Sequence, residues 1–315
     1  MNHKISTRAL TEGAIIAAIT VSLGVLSYYI PFLTLLMYIW PIPIIILGKR
    51  HGIAVSIIST ITAALVLGFL TPFTYAIQLV IMYGLLGIVL GYAFQKDMSV
   101  GKTVLLGYIV ALVSTVLLLQ FYRLITGVNI IDELAQMMKF SLEEITKIYQ
   151  QSGMDQNLIE ETVTQMKNTL KTVLQIVPIL LLIIPFMVTI INIWISEKIL
   201  KKLGYQVKEI PPFWDWQLPN HMIFGLFLMF LIVALGQHFK IAKIDMVYLN
   251  LVYLIIFVFF LQGLAVISNF FHKKKLSKPL WIIGFLLIFL IPLFHIFVQF
   301  LGLFDTIFHF RNKLI

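Results

Sequence analysis

The chain has 315 residues, of which 60% are hydrophobic and only 12% charged, with a formal charge of +9 and no cysteine. A soluble domain carries roughly a quarter of its residues charged, so this composition is that of an all-α, polytopic helical membrane protein. The lack of thiols excludes disulfides, thiolate metal sites, cysteine nucleophiles and redox switching.

Nine apolar stretches are long enough to be candidate spans, approximately 9–29, 32–48, 52–70, 73–94, 103–126, 172–196, 221–237, 246–271 and 279–303. Lys4 and Arg8 precede the first like a signal peptide, but the run is too long and no cleavage site follows, so it reads as a retained span. Its small residues Ala14, Ala18 and Ser22 fall four apart on one helix face, which lets another backbone approach closely. The neighbour belongs either to this chain or to a partner. The second span holds Trp40-Pro41-Ile42-Pro43, which breaks the helical ladder. The break either lines a cavity or kinks a packing helix. Gly87 and Gly91 in the fourth span form a GxxxG packing face.

Gly101-Lys102-Thr103 resembles the end of a phosphate-binding loop, but Lys96 stands where that pattern needs glycine, so no nucleotide site is expected. From 127 to 171 the composition turns polar while apolar residues recur at helical spacing, predicting two or three amphipathic helices outside the membrane. Ser141-Leu142-Glu143-Glu144 fits a capping box, Ser152-Gly153 a break, and the last helix runs into span six. Pro178 and Pro185 predict a bend there, and Pro211 to Trp216 reads as an interfacial aromatic anchor. The chain divides near 205 into a Gly/Ala-containing six-span part, 1–205, and a Phe-rich three-span part, 206–315.

The first two loops on one side have no charge, whereas Lys49, Arg50, Lys96, Lys102 and Lys273–Lys275 gather on the other. This asymmetry predicts a cytoplasmic N-terminus and accounts for the net charge without nucleic acid. The lipid bilayer is the expected surrounding, and Lys273–Lys275 suit an anionic lipid surface.

Glu12 follows Arg8 by one turn, which predicts an ion pair. Tyr28, Tyr29, Tyr75, Gln78, Gln120 and Arg123 lie near the outer ends of spans one, four and five. They form either a polar pocket, with Arg123 suited to an anionic ligand, or an interfacial belt with a snorkelling arginine. Asn192, Asn250, Gln262 and Asn269 read as inter-helix hydrogen bonds. No His/Glu metal motif or paired intramembrane carboxylate occurs, so no catalytic residue, metal or cofactor is expected.

Leu10-Thr11-Glu12-Gly13-Ala14, Tyr29-Ile30-Pro31, Pro41-Ile42-Pro43, Gly48 to Gly52 and Tyr83 to Tyr92 together resemble the YybS-like family of bacterial membrane proteins, over nearly the whole chain. Residues 5–200 are more loosely similar to the substrate-binding S components of energy-coupling-factor (ECF) transporters. The S-component resemblance implies a six-span bundle in a bacterial cell membrane that binds a vitamin-like small molecule from outside. It also implies docking onto ECF transmembrane and ATPase subunits through Ala14 and Ala18. The three extra spans and the polar insert depart from that pattern. The alternative is a membrane scaffold or regulatory protein without a transported substrate.

Overall fold

A computed structural model describes residues 5–152, 155–309 and 311, and among them every regular element is helical. α1 is Thr7–Tyr29, followed by a 3-10 segment, Pro31–Ile39, and α2, Pro41–His51. α3 is Ile53–Leu70. α4, Phe73–Leu79, passes through a π-helical segment, Val80–Gly84, into α5, Leu85–Gln95. α6 (Val100–Thr126), α7 (Ile130–Gln151) and α8 (Gln156–Lys202) follow, then a short 3-10 turn at Phe213–Asp215. α9 (Asn220–His238), α10 (Ile244–Lys273), α11 (Lys278–Leu290) and α12 (Pro292–Phe308) complete the chain.

Eight of these helices or helix runs are long and apolar enough to cross a bilayer. The ninth expected span, 279–303, is corrected in one respect: it is a pair of helices, α11 and α12, bent by 106°, and it makes the ninth span when the pair is counted as one. The break follows from Pro292, because the residue before a proline is pushed out of the helical region, and Ile291 is extended at φ −105 and ψ 109.

The polar insert is helical, and α8 runs without a break from it through the sixth span as one 47-residue helix. Asn129 caps α7, its side chain accepting from the Ile131 N–H at 3.0 Å, and Asp155 caps α8 at Asn157 at 2.8 Å. The capping box at Ser141 is corrected too. Ser141 lies inside α7, its hydroxyl donating to the Met137 carbonyl, because the helical spacing of apolar residues continues through it. Of the expected break, Ser152 ends α7 and Gly153 lies outside the described residues.

The chain forms two compact units: Met1–Thr164 with Leu180–Ile210, and Gln165–Ile179 with Pro211–Ile315. In unit 1, α1 buries Gly13, Ala17, Thr20 and Gly24, with Gly13 and Gly24 against α3. α2 is buried from Pro41 to Gly48 and packs on α5, where Gly48 and Gly91 leave the backbones in contact and Gly87 fits over Ile44. This is the work of the GxxxG face. Gly52, at φ +88, turns the chain into α3.

In unit 2, α10 and α12 meet at two glycines. A Cβ on Gly263 would lie 1.9 Å from the Val298 carbonyl oxygen, and one on Gly302 would lie 2.0 Å from that of Phe259. Leu264, Ile288 and Val298 form the core beside them. Asn250 repairs α8 beside Pro178: it accepts from the Ile179 N–H at 2.8 Å and donates to the Gln175 carbonyl at 2.7 Å. A proline in a helix frees a carbonyl partner, and a side-chain amide on the facing helix re-satisfies the neighbourhood.

Candidate functional site

The polar side chains of unit 1 lie at three depths. At the basic end, Glu12 accepts from Arg8 at 3.0 Å, as its spacing predicts, and also from Arg50 at 2.9 Å and His51 at 2.7 Å. Lys49 reaches Asp97 at 2.6 Å and the Phe94 carbonyl at 2.9 Å. These contacts tie the basic ends of α1, α2 and α5, with Glu12 and Asp97 both ion-paired.

Halfway along the helices the backbone is irregular in two strands of the chain at once. The 3-10 segment meets α2 at Trp40-Pro41, and α4 meets α5 through the π segment. At 1.5 Å per residue, Trp40, Tyr83, Ser114 and Asn192 each stand roughly 15–21 Å from the basic end of their helix. Pro41 and Pro43 supply no N–H, so carbonyls before them lose helical donors. Met37 accepts instead from the Trp40 N–H at 3.2 Å, and Tyr38 from Asn192 Nδ2 at 2.7 Å. The Tyr38 and Tyr83 rings sit 6.1 Å apart, nearly perpendicular. Trp40, Ser114 and Asn192 are fully buried. Trp40 Nε1, Ser114 Oγ and Asn192 Oδ1 have no hydrogen-bond partner among the described residues. Buried polar groups are normally paired, and π segments recur at functional sites.

At the far end of α1, Tyr28, Tyr29 and Tyr75 come together. The Tyr75 hydroxyl lies 2.7 Å from Ser27 Oγ, the Tyr28 ring 4.8 Å from that of Tyr75, and Tyr29 donates to the Leu70 carbonyl at 2.7 Å. Gln78 is exposed on α4, and Gln120 and Arg123 are exposed near the end of α6. None of these three makes a side-chain hydrogen bond to the tyrosines among the described residues. The neighbouring Tyr122 instead donates to Glu133 of α7. Ala14, Ala18 and Ser22 are all exposed, because α1 turns its other small face, Gly13, Ala17 and Gly24, toward α3.

Sequence reasoning missed Ser27, whose signal was its place one residue before the tyrosine pair. It also missed the indole N–H of Trp40, visible only as part of a proline motif. A third omission is in unit 2, where Asp305 is fully buried. Asp305 accepts from Gln262 at 2.7 Å and from Arg311 Nη2 at 2.7 Å and Nε at 3.1 Å. Arg311 Nη1 donates to the Trp214 carbonyl at 2.9 Å, which also takes Asn269 at 3.2 Å, and Trp214 stacks on His272 at 4.2 Å. A lone acid in the apolar run Leu301-Gly302-Leu303-Phe304-Asp305 was the available signal. Among the described residues no group of acids and histidines is arranged to hold a metal ion.

A family model described as predicted membrane protein (DUF2232) matches residues 18–306. The chain is 27% identical over 315 residues to the uncharacterized protein YybS of Bacillus subtilis (strain 168), covering 98% of each. No solved structure matches it.

Proposed function

Because the chain belongs to the DUF2232 family of predicted membrane proteins, an integral membrane protein is the premise, and we propose that unit 1 is its non-enzymatic small-molecule binding part. In this reading the N-terminus is cytoplasmic and a vitamin-like solute enters from the outer side, past Tyr28, Tyr29 and Tyr75. The carrying observation is the set of fully buried, unpartnered polar atoms at the helix break, above all Trp40 Nε1 and Asn192 Oδ1. Irregular backbone at membrane depth occurs where it is buried in protein or lines a cavity. A buried indole donor and a buried amide acceptor at the same helix break suit a neutral solute carrying both an acceptor and a donor. The exposed Ala14, Ala18 and Ser22 face is where an uptake complex of ECF type would dock.

Native mass spectrometry of protein gently extracted from its own membrane tests this reading. A small molecule retained by the wild type and lost from Trp40→Phe with Asn192→Leu supports it. Co-purifying transmembrane and ATPase subunits, lost in Ala14→Leu with Ala18→Leu, support the uptake assignment. A second reading, a membrane scaffold, is favoured by the exposed Met137, Phe140 and Ile148 on α7. A stable protein partner with no small molecule would select it.

A further inference from the structure

We infer that α11 and α12 are a re-entrant hairpin. It enters from the face that carries Lys273–Lys278, turns at Ile291-Pro292 about halfway along α10, and returns to the same face, where Arg311 latches it.

Contacts with α10 give the direction of each arm. Along α11, Trp281 and Phe285 meet Phe271, and Phe289 meets Phe260. Residue numbers rise on one helix as they fall on the other, so α11 is antiparallel to α10. Along α12, His295 meets Phe260, Gly302 meets Phe259 and Gly263, and Asp305 meets Gln262. Finally Lys273 Nζ donates to the Arg311 carbonyl at 3.0 Å. Val298 meets Gly263 as well, so α12 crosses α10 within Phe259–Gly263, and beyond the crossing its end leads through Arg311 to Lys273, toward the basic end of α10. The two arms share Phe260, one residue on each side of the turn, and Phe260 lies near the middle of the 30-residue α10.

Length agrees. α11 has 13 residues, roughly 20 Å of helix, against a hydrocarbon core of about 30 Å. It is too short to cross and long enough to reach the middle. The turn lies against α10, as non-helical backbone at that depth requires.

The closing contact is ionic. Asp305 is fully buried and Arg311 nearly so, and Arg311 spends its guanidinium on Asp305 and the Trp214 carbonyl together. A guanidinium that bridges a carboxylate on α12 and a carbonyl of the 211–216 segment fixes the returning arm to that segment.

The naturally cysteine-free chain permits a direct test with single cysteines in the full-length protein. Sealed membrane vesicles are treated with a membrane-impermeant maleimide. Lys274→Cys marks the basic face, Ile241→Cys the opposite face, and Lys313→Cys reports the end of α12. Lys313→Cys should label with Lys274→Cys and be protected when Ile241→Cys is labelled. Labelling with Ile241→Cys instead would make α11–α12 a crossing and overturn the hairpin. A cysteine appended after Ile315 repeats the measurement if Lys313→Cys accumulates poorly. For the latch, the buried Thr306→Cys should label several-fold faster from the basic face once Arg311→Ala is added, with Arg311→Lys in between. An unchanged rate overturns the latch.

Discussion

Each unit interrupts a helix at a proline halfway along its length, and the two breaks go opposite ways. At Trp40-Pro41 in unit 1 the chain continues: Trp40 keeps φ −53 and ψ −33, and α2 runs on to the basic end. At Ile291-Pro292 in unit 2 the residue before proline is extended and the chain bends by 106°. Proline disfavours the helical region for its predecessor, so Ile291 takes the default and Trp40 is the exception. Trp40 is fully buried, and Asn192 holds the carbonyl two residues before it. Of these two breaks, the one that packing and a cross-helix amide hold stays straight, and the other turns.

The largest expected effect lies on the turning side. Arg311→Met strands the fully buried Asp305 carboxylate and should cost about 3–5 kcal/mol, while Asp305→Leu with Arg311→Met together should recover most of it. Unfolding of the purified protein in detergent reads both, and a double variant no better than the single one would mean the pair does not close the hairpin. Next is the seam beside it. Gly263→Ala should cost about 3 kcal/mol, the top of the overpacking range, because its Cβ would meet the backbone. Gly91→Ala in unit 1, with 3.0 Å to the Gly48 Cα, should cost about 1–2 kcal/mol. Equal losses would show the two seams to be equally tight.

Removing the amide that holds the straight break, Asn192→Leu, should cost about 1 kcal/mol, in keeping with hydrogen bonds between membrane helices. Asn250→Leu should do the same for α8 at Pro178. A neutral Asn192→Leu would mean that burial of Trp40 alone keeps the span straight. The smallest effect is expected on the exposed face: Ala14→Leu with Ala18→Leu should shift stability by no more than about 0.5 kcal/mol. A large loss would place that face in a contact essential to folding.

The apolar runs made the helices readable from sequence, since length and hydropathy alone fix what can cross a bilayer. The prolines were readable as breaks. Their direction was not, because it depends on Asn192, which is 154 residues from Tyr38 in the chain, and on Arg311, which must fold back onto Asp305. The tyrosines at the end of α1 were readable by their clustering, whereas Arg123 and Gln120 share their end of the membrane without sharing their contacts. Ala14 and Ala18 were visible as a small stripe. That α1 has a second small stripe one residue earlier, and that it is the second one which packs inward, needed the position of α3.

The glycines of the α10–α12 seam serve neither flexibility nor a left-handed turn, for both lie within regular helices. At each, the direction a side chain would take leads straight to a carbonyl oxygen of the opposite helix. What occupies that line is a Cα hydrogen. The seam is thus built for paired Cα–H···O contacts, each worth about 0.5–1 kcal/mol, between backbones that exchange no N–H bond. Such a contact uses only atoms every residue has, yet only glycine leaves the oxygen close enough to use them. The helix that turns back is thereby joined to its neighbour by main chain, in a medium where apolar side chains gain little from choosing one another over lipid.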